Sequence, residues 1–460
     1  MFELRDFKYK IFLVKKNIMS KNKNSIGLFS SVSFAVGAMV GGGVFVLSGL
    51  AIKKSGPAAI VAFILAGIMV LFSALSFSVL ASNKSSSKYS GYGLVGKELN
   101  SPVWSFLTSW SFYLTGIIGA AFVLGAFGIY LTQFLFIHQS AILWAIVAAI
   151  VLTLINFGPA SQIGKIEGLL VSAKLIILIL LIVFGIYHFD PHYFQPFAPG
   201  GAGKILISSA FLFIAFLGFN VITNISSHIK NPTKTIPRAI ILSMIIVTIV
   251  YVGVVVALVT AHLKTYTEAS VGVAAKELIG PLGGVLIVIG ALISTLSSAN
   301  ANILGSSEVM VRMALDKQVP TIFAKLKHGH PYISVLAGGI LYLALILSNK
   351  TATIIALANV TAICALIIVN AAAFQILRKN DIYKGIKLPF KTLLPILGIL
   401  SSITQFFFMP ITSIALGFGL VALGLIFYKL RNRFHIPKLH QELVKIFEDA
   451  KSPLIRALRF

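Results

Sequence analysis

Apolar residues along this chain are grouped in long runs, which short polar or charged segments separate. A run of about twenty apolar residues is long enough, as a helix, to cross the hydrocarbon core of a bilayer. We predict an all-α polytopic membrane protein with twelve transmembrane helices. The predicted spans are at roughly 26–50, 57–81, 103–134, 141–158, 164–188, 204–228, 237–262, 281–311, 333–348, 352–377, 392–409 and 411–428.

The Lys and Arg residues are unevenly distributed between the two sides of the predicted membrane domain. The chain is 57% hydrophobic and 11% charged, with a formal net charge of +25. Counted along the predicted topology, 31 of the 38 Lys and Arg residues lie on the side of the N-terminus and six on the other side. Such a bias marks the cytoplasmic side. We therefore expect a multi-pass protein of the cell membrane with both termini in the cytoplasm and no nucleic-acid partner.

The predicted organisation is a single membrane domain with two basic ends. Residues 1–24 form a cytoplasmic basic N-terminus, 25–428 the twelve-helix membrane domain, and 429–460 a cytoplasmic basic tail. The basic ends are expected to contact anionic lipid head groups. Cys364 is the one cysteine, which excludes an intramolecular disulfide. No Cys/His set has metal-ligand spacing, so we predict no metal and no cofactor.

The first span contains an unusual glycine cluster. Gly41, Gly42 and Gly43 are consecutive, and Gly37 lies one turn earlier. Each glycine costs a helix roughly 1 kcal/mol relative to alanine, so the cluster opposes a continuous helix. In a membrane, an interrupted helix is tolerated where its free backbone groups face protein or a water-filled cavity.

The sixth span repeats this feature more weakly, because Gly218 and Asn220 lie at mid-depth. Paired interruptions at corresponding positions of two halves indicate a transporter binding site. Close packing of membrane helices is the alternative explanation, since small residues let helices approach each other. The three glycines of span one, together with their counterpart in span six, favour the binding site.

Three motifs resemble the amino acid–polyamine–organocation transporter family, over roughly residues 25–430. The stretch GAMVGGGVF is similar to the first-span signature of the family, and GFNVITNISSHIKNPTKTIPRAI to its sixth span and following loop. The third motif is GALISTLSSANANILGSSEVMVRMALDKQVP, which is similar to the eighth helix of the family. The whole sequence is most similar to the archaeal branch with a lysine in span five, which is thought to be proton-coupled.

The resemblance implies a LeuT-like fold with two inverted five-helix repeats. The repeats would cover about 26–188 and 204–377, with two extra helices in 392–428, and spans one and six would be broken. It also implies alternating access around the breaks and assigns the residues of a binding site. Those residues are the Gly41, Gly42 and Gly43 amides for a carboxylate, the Met39, Ile214 and Leu217 carbonyls for an ammonium, and Phe216 as an aromatic gate.

These assigned roles agree with physical chemistry. The N-terminal ends of helix halves present free N–H groups to an anion, and the C-terminal ends present carbonyls to a cation. The sequence departs from the family at Asn220, where an acid is often found, and at Ser227 and His228. Asn220 cannot ionise, and a site without an acid argues against cationic substrates. We therefore predict a neutral amino acid as the substrate.

Lys174 is the charge that the topology places on neither side. It lies ten residues past Gly164, about 15 Å into a core roughly 30 Å thick. An ionisable residue at this depth is a functional candidate. Gly37 has a similar predicted depth, so we predict that the Lys174 amine contacts the Gly37 carbonyl or its neighbours.

Two roles for Lys174 remain open from the sequence. Burial disfavours the charged form of an amine, so Lys174 could couple proton movement to transport. Alternatively, it stays charged and holds helices together. The resemblance to sodium-coupled relatives, in which a sodium ion occupies this region, implies Ser297 and Ser298 as hydroxyl partners.

Several other functions compete with amino acid transport. A proton-independent exchanger or a polyamine transporter would use the same fold. A membrane-embedded enzyme would need acid, His or Ser/Lys chemistry at a shared site. The acids in the spans are Glu167 and Glu308, both near span ends, and Glu308 has Arg312 four residues later as its expected partner. No loop between the spans resembles the selectivity filter of a channel, so a channel is disfavoured. We predict a transporter, not an enzyme, and no catalytic residue.

Overall fold

The computed structural model describes residues 27–82, 92–134, 140–157, 163–220, 229–325, 331–379 and 392–431, and these residues are almost entirely helical. Side chains of helix residues 163–171 are outside the description. Several predicted features lie outside the described residues. They are the basic N-terminus, the basic tail from residue 432 onwards, Ser227, His228 and the side chain of Glu167.

The described α-helices are numbered in chain order. They are α1 (Leu28–Met39), α2 (Gly42–Ser55), α3 (Ala59–Ser82), α4 (Gly93–Glu98), α5 (Pro102–Phe134), α6 (Ala141–Ile155), α7 (Ile163–Tyr187), α8 (Gly201–Leu212), α9 (Pro232–Thr260), α10 (Ser270–Ile279), α11 (Pro281–Leu315), α12 (Tyr332–Leu347), α13 (Thr351–Lys379), α14 (Leu393–Phe406) and α15 (Ile411–Leu430).

The apolar runs form the expected helices. Every predicted span contains at least one described helix, and span one contains two, α1 and α2. Six described stretches are long and apolar enough to cross a bilayer, and six shorter apolar helices accompany them. The protein is an all-helical multi-pass membrane protein, while the count of twelve crossings stays a prediction.

Two helices lie in segments that we predicted to be loops. Helix α4 follows the Ser/Gly-rich segment after α3, and α10 lies between α9 and α11. Their lengths of 6 and 10 residues are too short to produce a transmembrane run. Helix α10 is amphipathic and buries Val271, Ala274 and Ala275 against its neighbours, which stabilises a helix that its sequence alone would support weakly.

The packing of the helices has the symmetry of two repeats. Helix α1 packs on α9, and its counterpart α8 packs on α3. Likewise α7 packs on α11, and its counterpart α13 packs on α5. Exchanging the two halves therefore exchanges equivalent contacts, as a LeuT-like fold requires. The exact repeat boundaries stay a prediction. The interrupted helices of the two repeats also contact each other, since α2 packs on α8.

Candidate functional site

The first break separates α1 from α2 at Val40 and Gly41. Val40 has φ −76° and ψ 70°, and the Gly41 N–H donates to the Met39 carbonyl at 2.8 Å, which is an inverse γ-turn. The interruption that the glycines predicted is thus present. It precedes Gly42 and Gly43, which are the first residues of α2 and are helical.

The glycines of this break also serve close packing. A Cβ on Gly42 would lie 2.8 Å from Val123 Cγ1, and one on Gly43 would lie 3.3 Å from Ala215 Cα. A Cβ on Gly41 would overlap the Ser298 hydroxyl. Close packing therefore accounts for part of the cluster, because neighbours approach closely at the point where the helix is interrupted, while the binding site stays a prediction. Within the described chain no side chain caps the N-terminus of α2.

The second break follows α8. A 3₁₀ turn covers Phe213–Phe216, and the chain then leaves helical geometry at Leu217, whose ψ is 141°. Gly218 has φ +133°, a conformation that a residue with a Cβ strongly disfavours. A Cβ there would lie 2.9 Å from Ala38 C and 3.0 Å from Met39 N. The two breaks are therefore in backbone contact with each other.

Tyr251 of α9 joins the two breaks. Its hydroxyl lies 2.8 Å from the carbonyl oxygens of both Met39 and Ala215. The single hydroxyl proton is therefore shared between the ends of two helix halves. The side chain is fully buried. Sequence reasoning missed this residue, although a tyrosine in the middle of an apolar span is a signal for such a role, because a buried hydroxyl needs a partner.

Lys174 reaches the last turn of α1. Its Nζ donates to the Gly37 carbonyl oxygen at 2.8 Å, and the side chain is 2% exposed. The predicted contact is therefore confirmed by the structure. A cation near the C-terminal end of a helix is favourable, since the free carbonyls there carry partial negative charge. Whether the amine gains and loses a proton during transport stays a prediction.

Helix α11 contributes hydroxyl groups beside the first break. Ser294 donates to the Val40 carbonyl at 3.4 Å, a contact that the sequence did not indicate. Ser298 lies against Gly41, and Ser297 is half-buried. The predicted serine-rich helix is thus at the break. The proposed link of Ser297 and Ser298 to Lys174 stays a prediction.

Phe216 is enclosed in the present conformation. Its side chain is fully buried between Phe63 of α3 and Tyr251, with ring centroids 6.4 and 5.2 Å apart. The ring packs between two helices and does not cover an open space. Its role as an aromatic gate stays a prediction, and it would require the ring to leave this position.

The three carbonyls assigned to an ammonium differ in their surroundings. The Met39 oxygen accepts from Gly41 and Tyr251, and the Ile214 oxygen accepts from the Leu217 N–H at 3.1 Å. A carbonyl has two lone pairs, so the Ile214 oxygen can accept a further donor, whereas both lone pairs of the Met39 oxygen are already used. Leu217 itself is half-buried at the start of the extended segment.

Asn220 is joined to the segment between α3 and α4 through Tyr92, whose side chain forms a hydrogen bond with the Asn220 side chain. Tyr92 stacks on Phe112 of α5, with ring centroids 4.9 Å apart. Sequence reasoning missed Tyr92 because it follows a Ser/Gly-rich segment. Glu308 is half-buried on α11, and Arg312 is near enough to act on its charge, but among the described residues no ion pair joins the two.

Replacing Tyr251 with Phe tests whether its hydroxyl holds the breaks. The ring contacts with Phe63 and Phe216 would remain, while the Ala215 carbonyl would lose the hydroxyl donor and the Met39 carbonyl would keep only the Gly41 N–H. We expect a loss of about 1–3 kcal/mol in stability. Thermal unfolding in detergent measures it, and Tyr113→Phe is the matched control because its hydroxyl contacts neither break. An unchanged melting temperature for Tyr251→Phe would contradict this role.

Two interrupted helices whose breaks are in contact are the arrangement found in membrane carriers. The sequence model of the amino acid permease family matches residues 30–438 of the chain. The chain therefore belongs to the amino acid permease family, whose members transport and do not catalyse reactions.

Individual relatives agree with this assignment. The inner membrane transport protein YbaT of Escherichia coli K12 is 31% identical over 323 residues, which is 67% of this chain and 74% of YbaT. The branched-chain amino acid permease BcaP of Bacillus subtilis is 26% identical over 448 residues, covering 91% of this chain and 95% of BcaP. The serine/threonine exchanger SteT of the same bacterium is 30% identical over 325 residues, covering 67% and 72%.

Proposed function

We propose that this amino acid transporter carries neutral amino acids across the cell membrane by alternating access and that Lys174 couples the cycle to protons. Both chain ends lie in the cytoplasm in this proposal. The single observation that carries the coupling is the 2.8 Å hydrogen bond from the buried Lys174 amine to the Gly37 carbonyl. It joins an ionisable group directly to the helix half that ends at the binding site.

The substrate site is formed by the ends of the helix halves. An amino acid zwitterion that leaves water needs a partner for each of its charges. The amides of Gly42 and Gly43 open α2 and suit the carboxylate, since no described side chain caps them. The carbonyls of Met39, Ile214 and Leu217 at the other two ends suit the ammonium, which would replace one of the two donors that the Met39 oxygen now has. Phe216 gates this site in the proposal.

Two observations favour a neutral substrate. The described breaks carry no acidic side chain, and Asn220, which occupies the position of a common family acid, is neutral. The names of the relatives BcaP and SteT refer to branched-chain amino acids and to serine and threonine. All of these substrates carry one carboxylate and one ammonium and have uncharged side chains.

Proton coupling follows from the location of Lys174. A charged amine binds the C-terminal end of α1 strongly, because both the hydrogen bond and the helix dipole favour the cation. A neutral amine keeps a hydrogen bond but loses the charge interaction. The proton therefore changes how firmly α1 is held against α7. Substrate release that requires α1 to move would then depend on the state of Lys174.

Exchange without protons is the second candidate. SteT is named as an exchanger, and the static role of Lys174 would suit such a mechanism. A carrier that exchanges one amino acid for another leaves the internal pH unchanged. The two mechanisms are therefore separated by measuring proton movement, and both share the neutral amino acid site. A polyamine substrate is disfavoured because the described breaks offer no carboxylate.

A thermal-shift screen of the purified protein tests the substrate class. A ligand that binds only the folded protein raises its stability by about 2.7 kcal/mol at a concentration of 100 times its dissociation constant. We expect one or more neutral amino acids to raise the melting temperature and arginine or putrescine to leave it unchanged. A shift with a polyamine and none with any neutral amino acid would contradict the proposed substrate class.

A further inference from the structure

Three lysines meet at the outer ends of the two helix halves that form the binding site. Lys53 and Lys54 are in the last turn of α2, and Lys204 is in the first turn of α8. Lys53 and Lys204 are both near enough to repel the charge of Lys54. The inner ends of α2 and α8 lie at the breaks, about 17 Å from this cluster along α2.

The protein holds these ends together. The Ala58 N–H donates to the Phe197 carbonyl at 2.9 Å, which ties the chain after α2 to the segment before α8. Gly56 has φ +64° and packs so closely on Pro199 that a Cβ would lie 2.7 Å from its Cδ. The Lys54 ammonium lies over the ring of Phe211 of α8, 5.1 Å from the ring centroid. The helix ends that carry the three lysines are therefore held in place relative to each other.

In the described part of the chain, no acidic side chain pairs with the lysines of the cluster. Among the described residues, none of the three lysines forms an ion pair, and the ion pair that is described joins Lys379 and Glu98 elsewhere. The N-terminus of α8 adds further positive potential, since no described side chain caps it. The aliphatic part of Lys204 packs on Gly200 at this helix end. Like charges held together cost free energy, and an anion would offset that cost.

We propose that Lys53, Lys54 and Lys204 form an outer capture site for the carboxylate of the substrate. This inference rests on the proposed function, because it assumes that an amino acid enters along α2 and α8 from the outer side. The captured carboxylate would then move inward to the Gly42 and Gly43 amides. The ammonium of a zwitterion is left pointing towards water at this stage, and a cation without a carboxylate is repelled.

Uptake into whole cells expressing the chain tests the capture site, because only the outer face meets the medium. We expect Lys53→Gln/Lys54→Gln/Lys204→Gln to raise the KM for a neutral amino acid about three- to tenfold, with the maximal rate unchanged. Between about 0.01 and 0.15 M salt the screening length falls from about 30 to 8 Å. The wild-type KM should rise over this range, and the KM of the triple variant should change less.

Lys264→Gln/Lys276→Gln is the matched control, since both residues are exposed lysines of the same predicted side. A triple variant whose KM and salt response equal those of this control would overturn the capture site while leaving the proposed transport intact. A wild-type protein that transports no amino acid would instead contradict the proposed function. The two failures are therefore distinguishable.

Anionic lipid head groups are the other source of an anion at this position. Uptake of the wild type and the triple variant should also be measured in vesicles of phosphatidylcholine alone and with added phosphatidylglycerol. The proposal predicts that the difference in KM between the two proteins persists in both vesicles. A difference that requires phosphatidylglycerol would assign the cluster to lipid and overturn the proposal.

Discussion

Lys174→Gln is expected to abolish proton-driven accumulation of the amino acid while leaving its binding in place. The amide of Gln still donates a hydrogen bond towards the Gly37 carbonyl but carries no charge and cannot titrate. Uptake by the wild type should rise at least about tenfold when the outside is more acidic than the inside by about two pH units. Uptake by the variant should not respond to the gradient. Reconstituted vesicles with radiolabelled substrate provide the measurement.

A second substitution separates coupling from a purely static role. Lys174→Met removes both the charge and the donor from a site that is 2% exposed. If Lys174 only holds α1 against α7, the Lys174→Gln variant should respond to the pH gradient as the wild type does. The Lys174→Met variant should then be less stable than the wild type. Lys264→Gln is the control for loss of a lysine. A Gln variant that keeps the wild-type response to the pH gradient would contradict coupling through Lys174.

Gly218→Ala is expected to have the second-largest effect, with loss of transport and a lower melting temperature. The added methyl group would meet the backbone of Ala38 and Met39 at about 3 Å, and φ +133° is strained for any residue with a Cβ. Backbone strain of this kind costs of order 1–3 kcal/mol. Because Gly218 lies where the two breaks touch, the methyl group would also separate them. Thermal unfolding and vesicle uptake measure the two effects.

Gly305→Ala is the matched control for this substitution. A Cβ at Gly305 meets open space, and alanine favours the interior of α11 by roughly 1 kcal/mol over glycine. The control should therefore melt at or above the wild-type temperature and retain uptake. If Gly218→Ala behaved like Gly305→Ala, the contact between the breaks would not be needed for transport.

The sequence predicted the parts of the site that depend on depth and composition. The apolar runs indicate the helices because a bilayer requires about twenty apolar residues. The glycine cluster indicates the first break, and Gly218 the second. The contact between Lys174 and Gly37 was predicted from their similar depth together with the family resemblance. All of these features depend on the positions of residues along the chain and not on how each helix is rotated.

The features that the sequence missed depend on helix rotation and side-chain reach. Tyr251 contacts both breaks because of the face that α9 presents, which an apolar run on all sides does not indicate. For the same reason Ser294, in place of its neighbours Ser297 and Ser298, bonds to Val40. Helices α4 and α10 were missed because their stability comes from packing against neighbours, not from a long apolar run.

The central claim is that the protein moves a proton together with a neutral amino acid and that Lys174 carries the coupling. Vesicles that contain purified protein and a trapped pH indicator test it most directly. We predict that a neutral amino acid added outside acidifies the interior of wild-type vesicles and leaves the interior of Lys174→Gln vesicles unchanged. Amino acid uptake by the wild type with no acidification, or equal acidification in both proteins, would contradict the claim.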